Sequence, residues 1–384
     1  MKGLVLDAEW TPKPGYVVSD FEKTTGKAIT GNSIWKNPRL EVKEVPDPTP
    51  GPKDVVLKVK ACGVCGSDVH FYETDKDNYI LYPGLTKFPS VIGHEFSGEV
   101  VAVGKDVKDL KVGDMVTAEE MIWCGECVPC RNGYPNQCLN LEEIGFTING
   151  AFAEYIVIGA KYCWKIDGIA TRYGDRDKAF EAGALVEPTS VAYNGMFVRA
   201  EGFKPGGYVV VFGAGPIGLA SIALAKAAGA SKIVSFEVSA KRRELARLMG
   251  AEYVYNPIDV NPAEVIIEVT DGFGANLFVE AAGAPTKTIP EMEKTLAIGS
   301  KIVQIGRAAD RVPVYLEYFQ THAAQIFGSQ GHSGYGTFQN VIRLMASGRI
   351  DMTQIITSRF SLGDAVKAIE KTTHREDGKV MVRM

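Results

Sequence analysis

The 384-residue chain contains little cysteine, little histidine and almost no excess of charge. Seven cysteines are too few for a disulfide scaffold in a chain of this length. The formal net charge of -4 provides no positive surface for nucleic acid or for an anionic membrane. The composition therefore predicts a protein that acts on a small molecule and binds neither nucleic acid nor membranes.

Long apolar runs are also absent, since none reaches the length that crosses a bilayer. The segment that begins at Met1 lacks the basic stretch, apolar core and cleavage site of a signal peptide. We therefore expect a cytoplasmic protein. With 46% hydrophobic residues, the chain exceeds the usual size of one core, and this predicts two domains.

The two halves of the chain show different patterns. In the first half, strand-like runs such as residues 3–8 and 55–61 alternate with proline and glycine, and no long helix is expected until well past Ala182. Residues 9–38 are expected to form an inserted loop. The first half is therefore predicted to be mainly β.

Strand and helix candidates alternate in the second half, which predicts an α/β domain with a doubly wound parallel sheet. The strand candidates are Tyr208–Phe212, Lys232–Phe236 and residues 277–279, 301–305 and 324–328. A helix of small residues is predicted over 216–228, and the chain turns helical again near Phe338. We place the first domain at residues 1–195 and 336–384 and the second at residues 196–335.

A glycine-rich turn joins the first strand and helix of the second domain. Gly213, Gly215 and Gly218 form the pattern G-x-G-x-x-G, with Pro216 and Ile217 at the predicted start of the helix. Such glycines permit a tight turn, close approach of the pyrophosphate and close packing of helix on strand, and the helix N-terminus favours the phosphate charge. The pattern predicts a dinucleotide site, and a packing turn without a ligand is the alternative.

An acidic residue, Glu237, lies at the end of the next predicted strand. A carboxylate there accepts hydrogen bonds from the ribose hydroxyls of NAD and repels the additional phosphate of NADP. Arg242 is a further candidate for cofactor binding. Ser239, Arg242 and Arg243 would bind the phosphate of NADP if Glu237 turned aside, so NADP is the alternative to NAD.

Four cysteines lie close enough in sequence to surround one metal ion. They are Cys124, Cys127, Cys130 and Cys138. Four thiolates around a tetrahedral zinc ion leave no open position, so this zinc is predicted to stabilise a loop. An iron–sulfur cluster, free thiols and disulfides are the alternatives. Cys62 and Cys163 stand apart and are expected to be small buried residues.

Three further motifs are distant from one another in sequence: Cys65 in Gly-Val-Cys-Gly-Ser-Asp, His94 and Glu95 in Gly-His-Glu, and Glu187 in Leu-Val-Glu-Pro. In order and spacing, and together with the cysteine group and the nucleotide fold, they resemble the medium-chain zinc-dependent alcohol and polyol dehydrogenases over nearly the whole chain. The resemblance implies a GroES-like, mainly β catalytic domain, a Rossmann domain for NAD, and two zinc ions per chain, one catalytic and one structural.

The same resemblance implies roles for individual residues. Cys65 and His94 match the ligands of the catalytic zinc. Glu187 and Glu95 are the candidates for the remaining ligand, since Leu-Val-Glu-Pro stands where ethanol-type members have a second cysteine. Asp68 matches the residue that fixes the tautomer of the zinc-bound histidine.

A proton relay and a mechanism follow from the resemblance as well. Ser67 matches the hydroxyl that contacts the reacting oxygen, and His70 matches the imidazole that exchanges the proton with solvent. An exposed histidine without a role is the alternative for His70. Zinc is expected to act as a Lewis acid while hydride moves to the nicotinamide, and Ile305 and Gly306 are expected to contact the nicotinamide through their backbone.

The segments that depart from the family pattern are expected to select the substrate. They are residues 9–38, 119–123 and 328–334. Glu119, Glu120, Gln330 and His332 could hydrogen-bond several hydroxyls, and solvated loop residues are the alternative reading. The set most resembles the subgroup that includes inosose dehydrogenases, which implies a polyol or cyclitol substrate such as scyllo-inosose.

The same motifs are compatible with other activities, and the resemblance also implies an assembly state. Sorbitol, xylitol and L-threonine are alternative substrates, and an inactive protein that binds zinc and NAD is the alternative of another class. Members of the family form dimers or tetramers, so a homo-oligomer is expected, with a tetramer preferred. Residues 312–314 are expected to form a strand that extends a sheet across a subunit interface.

Overall fold

The computed structural model describes residues 1–307 and 311–384. In chain order, its strands are β1 (Lys2–Trp10), β2 (Trp35–Glu44), β3 (Asp54–Gly63), β4 (Ser90–Val91), β5 (Glu95–Val103), β6 (Met115–Ala118), β7 (Met121–Ile122), β8 (Glu142–Glu143), β9 (Tyr155–Gly159), β10 (Cys163–Lys165), β11 (Tyr208–Phe212), β12 (Lys232–Phe236), β13 (Tyr253–Tyr255), β14 (Ala275–Glu280), β15 (Leu296–Gln304), β16 (Gln325–Gly328), β17 (Ile356–Ser361) and β18 (Lys379–Arg383).

The α-helices are α1 (Asp20–Thr25), α2 (Gly66–Tyr72), α3 (Val128–Arg131), α4 (Asp167–Tyr173), α5 (Arg176–Ala184), α6 (Val186–Tyr193), α7 (Pro216–Ala227), α8 (Ala240–Met249), α9 (Pro262–Val269), α10 (Pro285–Glu293), α11 (Leu316–His322), α12 (Thr337–Ala346) and α13 (Ala365–Thr373). A π-helical segment, Asn194–Arg199, follows α6. Among the described helices, none has the length and apolar character that crossing a membrane requires.

The chain packs into two compact units. The first comprises Met1–Glu187, Ser358–His374 and Lys379–Met384, and the second comprises Pro188–Thr357 and Arg375–Gly378. Helix α12, which the sequence-based division assigns to the first domain, lies in the second unit. The sequence-based domain boundaries therefore differ from this packing and stay a prediction.

The first unit is built on antiparallel sheets. Its largest sheet has the strand order β10-β6-β5-β3-β18-β17, with β9 also paired with β3. On β3, the alternate residues Val55, Leu57 and Val59 are fully buried in the apolar core, as one face of a strand requires. Strands β2, β1 and β4 form a second sheet. This unit is mainly β, as the sequence indicates.

The second unit contains a parallel sheet with the strand order β13-β12-β11-β14-β15-β16. Strand order reverses between β11 and β14, which is the doubly wound arrangement that binds dinucleotides at this point. Four consecutive residues of β11, Val209 to Phe212, are buried, since helices cover both faces of such a sheet. Strands β11 and β12 have the bounds that the sequence predicts.

Residues 9–38 are more ordered than the predicted loop. Strand β1 extends to Trp10 and β2 begins at Trp35, whose ring lies in the core against Trp10 and Phe88, with centroid distances of 5.1 Å in both pairs. Between them, the Ser19 hydroxyl accepts from the Glu22 backbone N–H, and the Glu22 carboxylate accepts from the Ser19 N–H. This capping box starts α1, so a loop was the wrong prediction.

Two further expectations concern smaller elements. Residues 312–314 form no strand within the described part of the chain, and their expected pairing across a subunit interface stays a prediction. No long helix is expected before Ala182, and the helices that begin before it are short, with seven residues in α4 and nine in α5. Asp175 caps α5 through hydrogen bonds from the backbone N–H groups of Asp177 and Lys178.

Candidate active site

Cys65, His94 and Glu95 come together in the first unit. Cys65 directly precedes α2, whereas His94 and Glu95 lie at the start of β5. One ligand atom from each residue lies within 4.8 Å of the other two, and His94 and Glu95 are buried. A thiolate, an imidazole and a carboxylate at these separations are a donor set that zinc accepts in catalytic sites.

The carboxylate of Glu95 is also held by a lysine. Lys379 Nζ donates to Glu95 Oε1 at 2.7 Å and to Oε2 at 2.5 Å, and also to the Val64 carbonyl oxygen at 3.0 Å. Lys379 is fully buried at the start of β18. Sequence reasoning missed it, although a lysine that opens an apolar strand, Lys-Val-Met-Val, is unusual enough to be noticed.

The predicted partner of the histidine, Asp68, lies on α2 and is fully buried. Its Oδ2 accepts from the Cys65 backbone N–H at 2.8 Å, and its Oδ1 lies 3.9 Å from His94 Nδ1. Both Oδ1 and Nδ1 lack a hydrogen-bond partner at this separation. Burial raises the pKa of Asp68 to about 6.

The relay candidates are on the same helix as Asp68. Ser67 Oγ lies 3.5 Å from His94 Nε2, beside the three donor atoms. His70 is half-buried and lies three residues further along α2, which places it on the same face as Ser67. The structure therefore brings Ser67 to the donor group and His70 to the adjoining turn of the helix.

Glu187 and the glutamates near β6 are buried in the first unit. Glu187 and Glu120 have carboxylate oxygens within 4.8 Å of each other. Burial lowers the pKa of His94, but the charges of Cys65, Asp68 and Glu187 outweigh it and raise that pKa well above its usual value. Glu187 is therefore electrostatically coupled to the site.

The other candidates for substrate selection occupy different environments. Glu119 accepts from the indole N–H groups of Trp123 and Trp164, each at 3.0 Å, so its carboxylate fixes two rings. In the second unit, Gln330 is exposed and His332 is fully buried. Glu119 is thus not a solvated loop residue.

The four clustered cysteines surround one point. Their ligand atoms all lie within 4.8 Å of one another, and Sγ–Sγ separations include 3.5 Å for Cys124 to Cys138, 3.8 Å for Cys127 to Cys138 and 4.0 Å for Cys124 to Cys130. Four sulfurs about 2.3 Å from zinc at tetrahedral corners would be about 3.8 Å apart. The group therefore fits a tetrahedral zinc ion.

Backbone N–H groups point at these sulfurs. Hydrogen bonds from the N–H groups of Glu126 and Cys127 lower the pKa of Cys124 to about 6, and its Sγ accepts them at 3.3 and 3.4 Å. All four cysteines are free thiols rather than disulfides. Such donors stabilise thiolates, which are the form that binds metal.

The glycine turn has the geometry that a dinucleotide requires. Gly213 has φ +89°, and a Cβ there would lie 2.7 Å from Ala282 N. A Cβ on Gly218 would overlap the Gly213 carbonyl oxygen. Around Gly215, which caps α7, a Cβ would meet only Arg242 Nη1 at 3.7 Å. The space above Gly215, at the helix N-terminus, is the cradle that a pyrophosphate fits.

Glu237 is buried beside this turn. Its Oε2 accepts from the Ala214 N–H at 2.7 Å and its Oε1 from the Ser239 N–H at 2.8 Å. Arg242 Nε donates to the Asp377 carbonyl oxygen at 2.9 Å, and burial lowers the pKa of Arg242. Both predicted residues therefore lie at the turn, and hydrogen bonds fix the position of each side chain.

Ile305 and Gly306 follow β15, next to the end of β14. Their backbone N–H groups donate to the Glu280 carbonyl oxygen at 3.1 and 2.8 Å. The Glu280 carboxylate lies so close to Gly306 that a Cβ there would overlap it. Sequence reasoning did not identify Glu280, because an acidic residue at a strand end carries no motif of its own.

Comparison with known proteins agrees with this arrangement. Residues 51–168 match the alcohol dehydrogenase GroES-like domain, and residues 216–347 match the zinc-binding dehydrogenase domain. The chain is 46% identical over 382 residues to scyllo-inosose 3-dehydrogenase of Thermotoga maritima, covering 97% of this chain and 96% of that protein. It is 34% identical over 343 residues to L-threonine 3-dehydrogenase of Thermococcus kodakarensis, covering 89% and 93%.

One solved structure resembles this chain over its whole length. A Thermotoga maritima protein assigned as an alcohol dehydrogenase superimposes with a TM-score of 0.97 at 44% identity, and the match covers 100% of both chains. The chain belongs to the zinc-dependent medium-chain alcohol and polyol dehydrogenases. It is an oxidoreductase that acts on an alcohol with zinc and NAD. The predicted family, fold class, enzyme class and cofactors are confirmed.

Proposed function

We propose that Cys65, His94 and Glu95 hold the catalytic zinc, with Glu187 as the alternative carboxylate ligand. The close approach of the Cys65, His94 and Glu95 ligand atoms supports this assignment. The burial of His94 next to Cys65 supports it further, whereas Glu95 already has a buried partner in Lys379. We also propose that the four cysteines of the second group hold a structural zinc.

Zinc bound at this site would supply Lewis-acid polarisation of the substrate oxygen. The chain's own residues manage the proton. Ser67 Oγ, next to His94, accepts the proton that the substrate hydroxyl loses, and His70 passes it on from the following turn of α2. Asp68 holds the Cys65 segment by a hydrogen bond at 2.8 Å and faces His94 Nδ1 at 3.9 Å.

The position of Glu237 favours NAD over NADP in this chain. Two backbone N–H groups hold its carboxylate beside the glycine turn, so turning aside would break both hydrogen bonds. Removing a hydrogen bond to a charged group costs about 1.5–3 kcal/mol. Glu237 therefore stays where it accepts from ribose hydroxyls and repels a 2′-phosphate.

For the substrate, we propose a cyclitol or its ketone, with scyllo-inosose as the specific candidate. The supporting observation is the 46% identity, over 97% of this chain, with a scyllo-inosose 3-dehydrogenase. L-Threonine is the second candidate, because several L-threonine 3-dehydrogenases are 33–35% identical. The lower identity of that group makes it the weaker of the two.

The test is a zinc measurement combined with a substrate panel. We expect about two zinc ions per chain and NAD reduction with scyllo-inosose, another inosose or myo-inositol. The panel also contains sorbitol, xylitol and L-threonine. Turnover of L-threonine or a linear polyol alone would exclude the cyclitol. Full zinc without any turnover would support the inactive zinc- and NAD-binding protein.

A cytoplasmic location and a homo-oligomer, with a tetramer preferred, complete the proposal. Four free cysteines at a metal site are stable in a reducing compartment, which supports the location. Light scattering combined with size-exclusion chromatography tests the assembly. A mass of one chain would exclude both the dimer and the tetramer.

A further inference from the structure

Glu280 is a buried carboxylate, and the hydrogen-bond donors around it are neutral. It ends β14, is 0% exposed, and accepts from the N–H groups of Gly283 and Ala284, each at 3.2 Å. It also accepts from Thr288 Oγ1 at 3.4 Å and Gln304 Nε2 at 3.0 Å. All four donors are neutral. Within residues 1–307 and 311–384, no lysine or arginine forms an ion pair with it.

The position of Glu280 in the sheet relates it to the cofactor. A dinucleotide lies across the point where strand order reverses, here between β11 and β14. Glu237, which is proposed to bind the adenosine ribose, directly follows β12 on one side of this point. The nicotinamide half therefore belongs on the other side, where Glu280 ends β14 and Gln304 ends β15.

Two close approaches place the carboxylate at the cofactor surface. Gly213 of the glycine turn packs against Ala282, two residues after Glu280. Gly306, a predicted backbone contact of the nicotinamide, lies directly over the Glu280 carboxylate. The buried charge is thus one layer below the turns that face the cofactor.

The start of α10 explains part of this arrangement. The N–H groups of Gly283 and Ala284 precede the nine-residue helix, and a helix N-terminus carries about half a positive charge. A neutral Ser, Thr or Asn side chain can accept the hydrogen bonds of such a helix terminus, and burying it costs less free energy than burying a charged carboxylate. The carboxylate below the nicotinamide turns is therefore offset only by neutral donors and by this helix terminus.

We propose that Glu280 makes this enzyme discriminate between the two redox forms of its cofactor, favouring the oxidised form. The nicotinamide ring is positively charged in NAD⁺ and neutral in NADH, whereas the two pyrophosphate charges are the same in both. A buried negative charge therefore stabilises bound NAD⁺ and leaves bound NADH almost unaffected. This inference depends on the proposed nicotinamide site.

The test measures the Kd of NAD⁺ and of NADH separately, by calorimetry and by NADH fluorescence. In Glu280→Gln, we expect the Kd of NAD⁺ to rise about tenfold and that of NADH to change less than about twofold. Because an amide reverses the direction of one hydrogen bond, this variant could fold poorly. Gln304→Lys provides a second test, since its ammonium group neutralises the carboxylate and leaves Glu280 in place.

Gln304→Met is the control without added charge, since it removes the amide and its hydrogen bonds to Glu280 and to the Gly306 carbonyl oxygen. We expect the Kd of NAD⁺ to be about tenfold higher in Gln304→Lys than in Gln304→Met, and the Kd of NADH to be equal in the two variants. Equal changes for both redox forms in the charge variants would overturn the inference and make Glu280 a purely structural cap. Absence of binding by the unaltered enzyme would instead contradict the proposed cofactor site.

Discussion

Lys379 and Glu95 form a buried ion pair although 284 positions separate them in sequence. Both carboxylate oxygens accept from the one ammonium group, and the two side chains are 0% and 2% exposed. The last strand of the chain, β18, thereby supplies the counter-charge for a predicted zinc ligand. If Glu95 also binds the proposed metal, its carboxylate serves both the lysine and that ion.

We expect Lys379→Met to lower the free energy of unfolding by about 3–5 kcal/mol, because it leaves a buried carboxylate without its partner. Urea denaturation measures the change. The double variant Lys379→Met/Glu95→Gln removes both charges and should recover most of the loss. If the single and double variants were equally destabilised, lost packing rather than the unpaired charge would be the cause.

The cysteine group should hold its zinc independently of the other zinc site. Cys130→Ser replaces one of four thiolates, so we expect the zinc content to fall from about two ions per chain to about one, with a lower Tm. Cys163→Ala, outside the group, is the control and should retain both ions. Atomic absorption and thermal unfolding report the outcome. Full retention of zinc in Cys130→Ser would contradict a four-cysteine site.

The cysteines should also differ in reactivity once zinc is removed. Backbone hydrogen bonds from Glu126 and Cys127 lower the pKa of Cys124 to about 6, whereas burial raises the pKa of Cys130 to about 12. Since the thiolate is the reactive form, alkylation of Cys124 should rise with pH to half its maximum near pH 6, with Cys130 unreactive. Mass spectrometry of labelled peptides checks this. A common pH midpoint for both cysteines would refute it.

Local patterns in the sequence determine much of this fold. Tyr208–Phe212 and Lys232–Phe236 have their predicted bounds because each is an apolar run ending in a turn or a charged segment. The four cysteines are also local, since ligand spacing alone brings them together. The capping box of Ser19 and Glu22 was local too, but it was overlooked within a polar segment.

Contacts between distant strands could not be predicted. The pairing of Lys379 with Glu95 depends on β18 lying beside β3 and β3 beside β5, and no spacing rule encodes that order. Glu280 is similar, because its burial follows from the packing of the turns after β14 and β15. A single sequence reveals local motifs, whereas the partners of buried charges such as Glu95 and Glu280 can be identified only when the strand order is known.

Cofactor choice should depend on the charge of Glu237. In Glu237→Gln, the amide neither repels a 2′-phosphate nor accepts as strongly from ribose hydroxyls, so we expect the kcat/KM ratio for NAD over NADP to fall about tenfold to hundredfold. Glu252→Gln is the control, because Glu252 also accepts from a backbone N–H in this sheet, that of Ile233. Steady-state kinetics with both cofactors measures this ratio. An unchanged ratio in Glu237→Gln would refute the role of Glu237 in cofactor choice.

The proton relay predicts different effects for its two members on α2. Ser67→Ala removes the hydroxyl beside His94, so we expect kcat to fall about 10²- to 10⁴-fold with little change in Tm. His70→Gln should cost less, and added imidazole buffer should restore part of the rate, because a small base can carry the proton instead. Tyr72→Phe is the control, because the Tyr72 hydroxyl lies on the same helix but donates a hydrogen bond to Glu370. If buffer did not rescue His70→Gln while Ser67→Ala remained impaired, the proton would leave from Ser67 by another route.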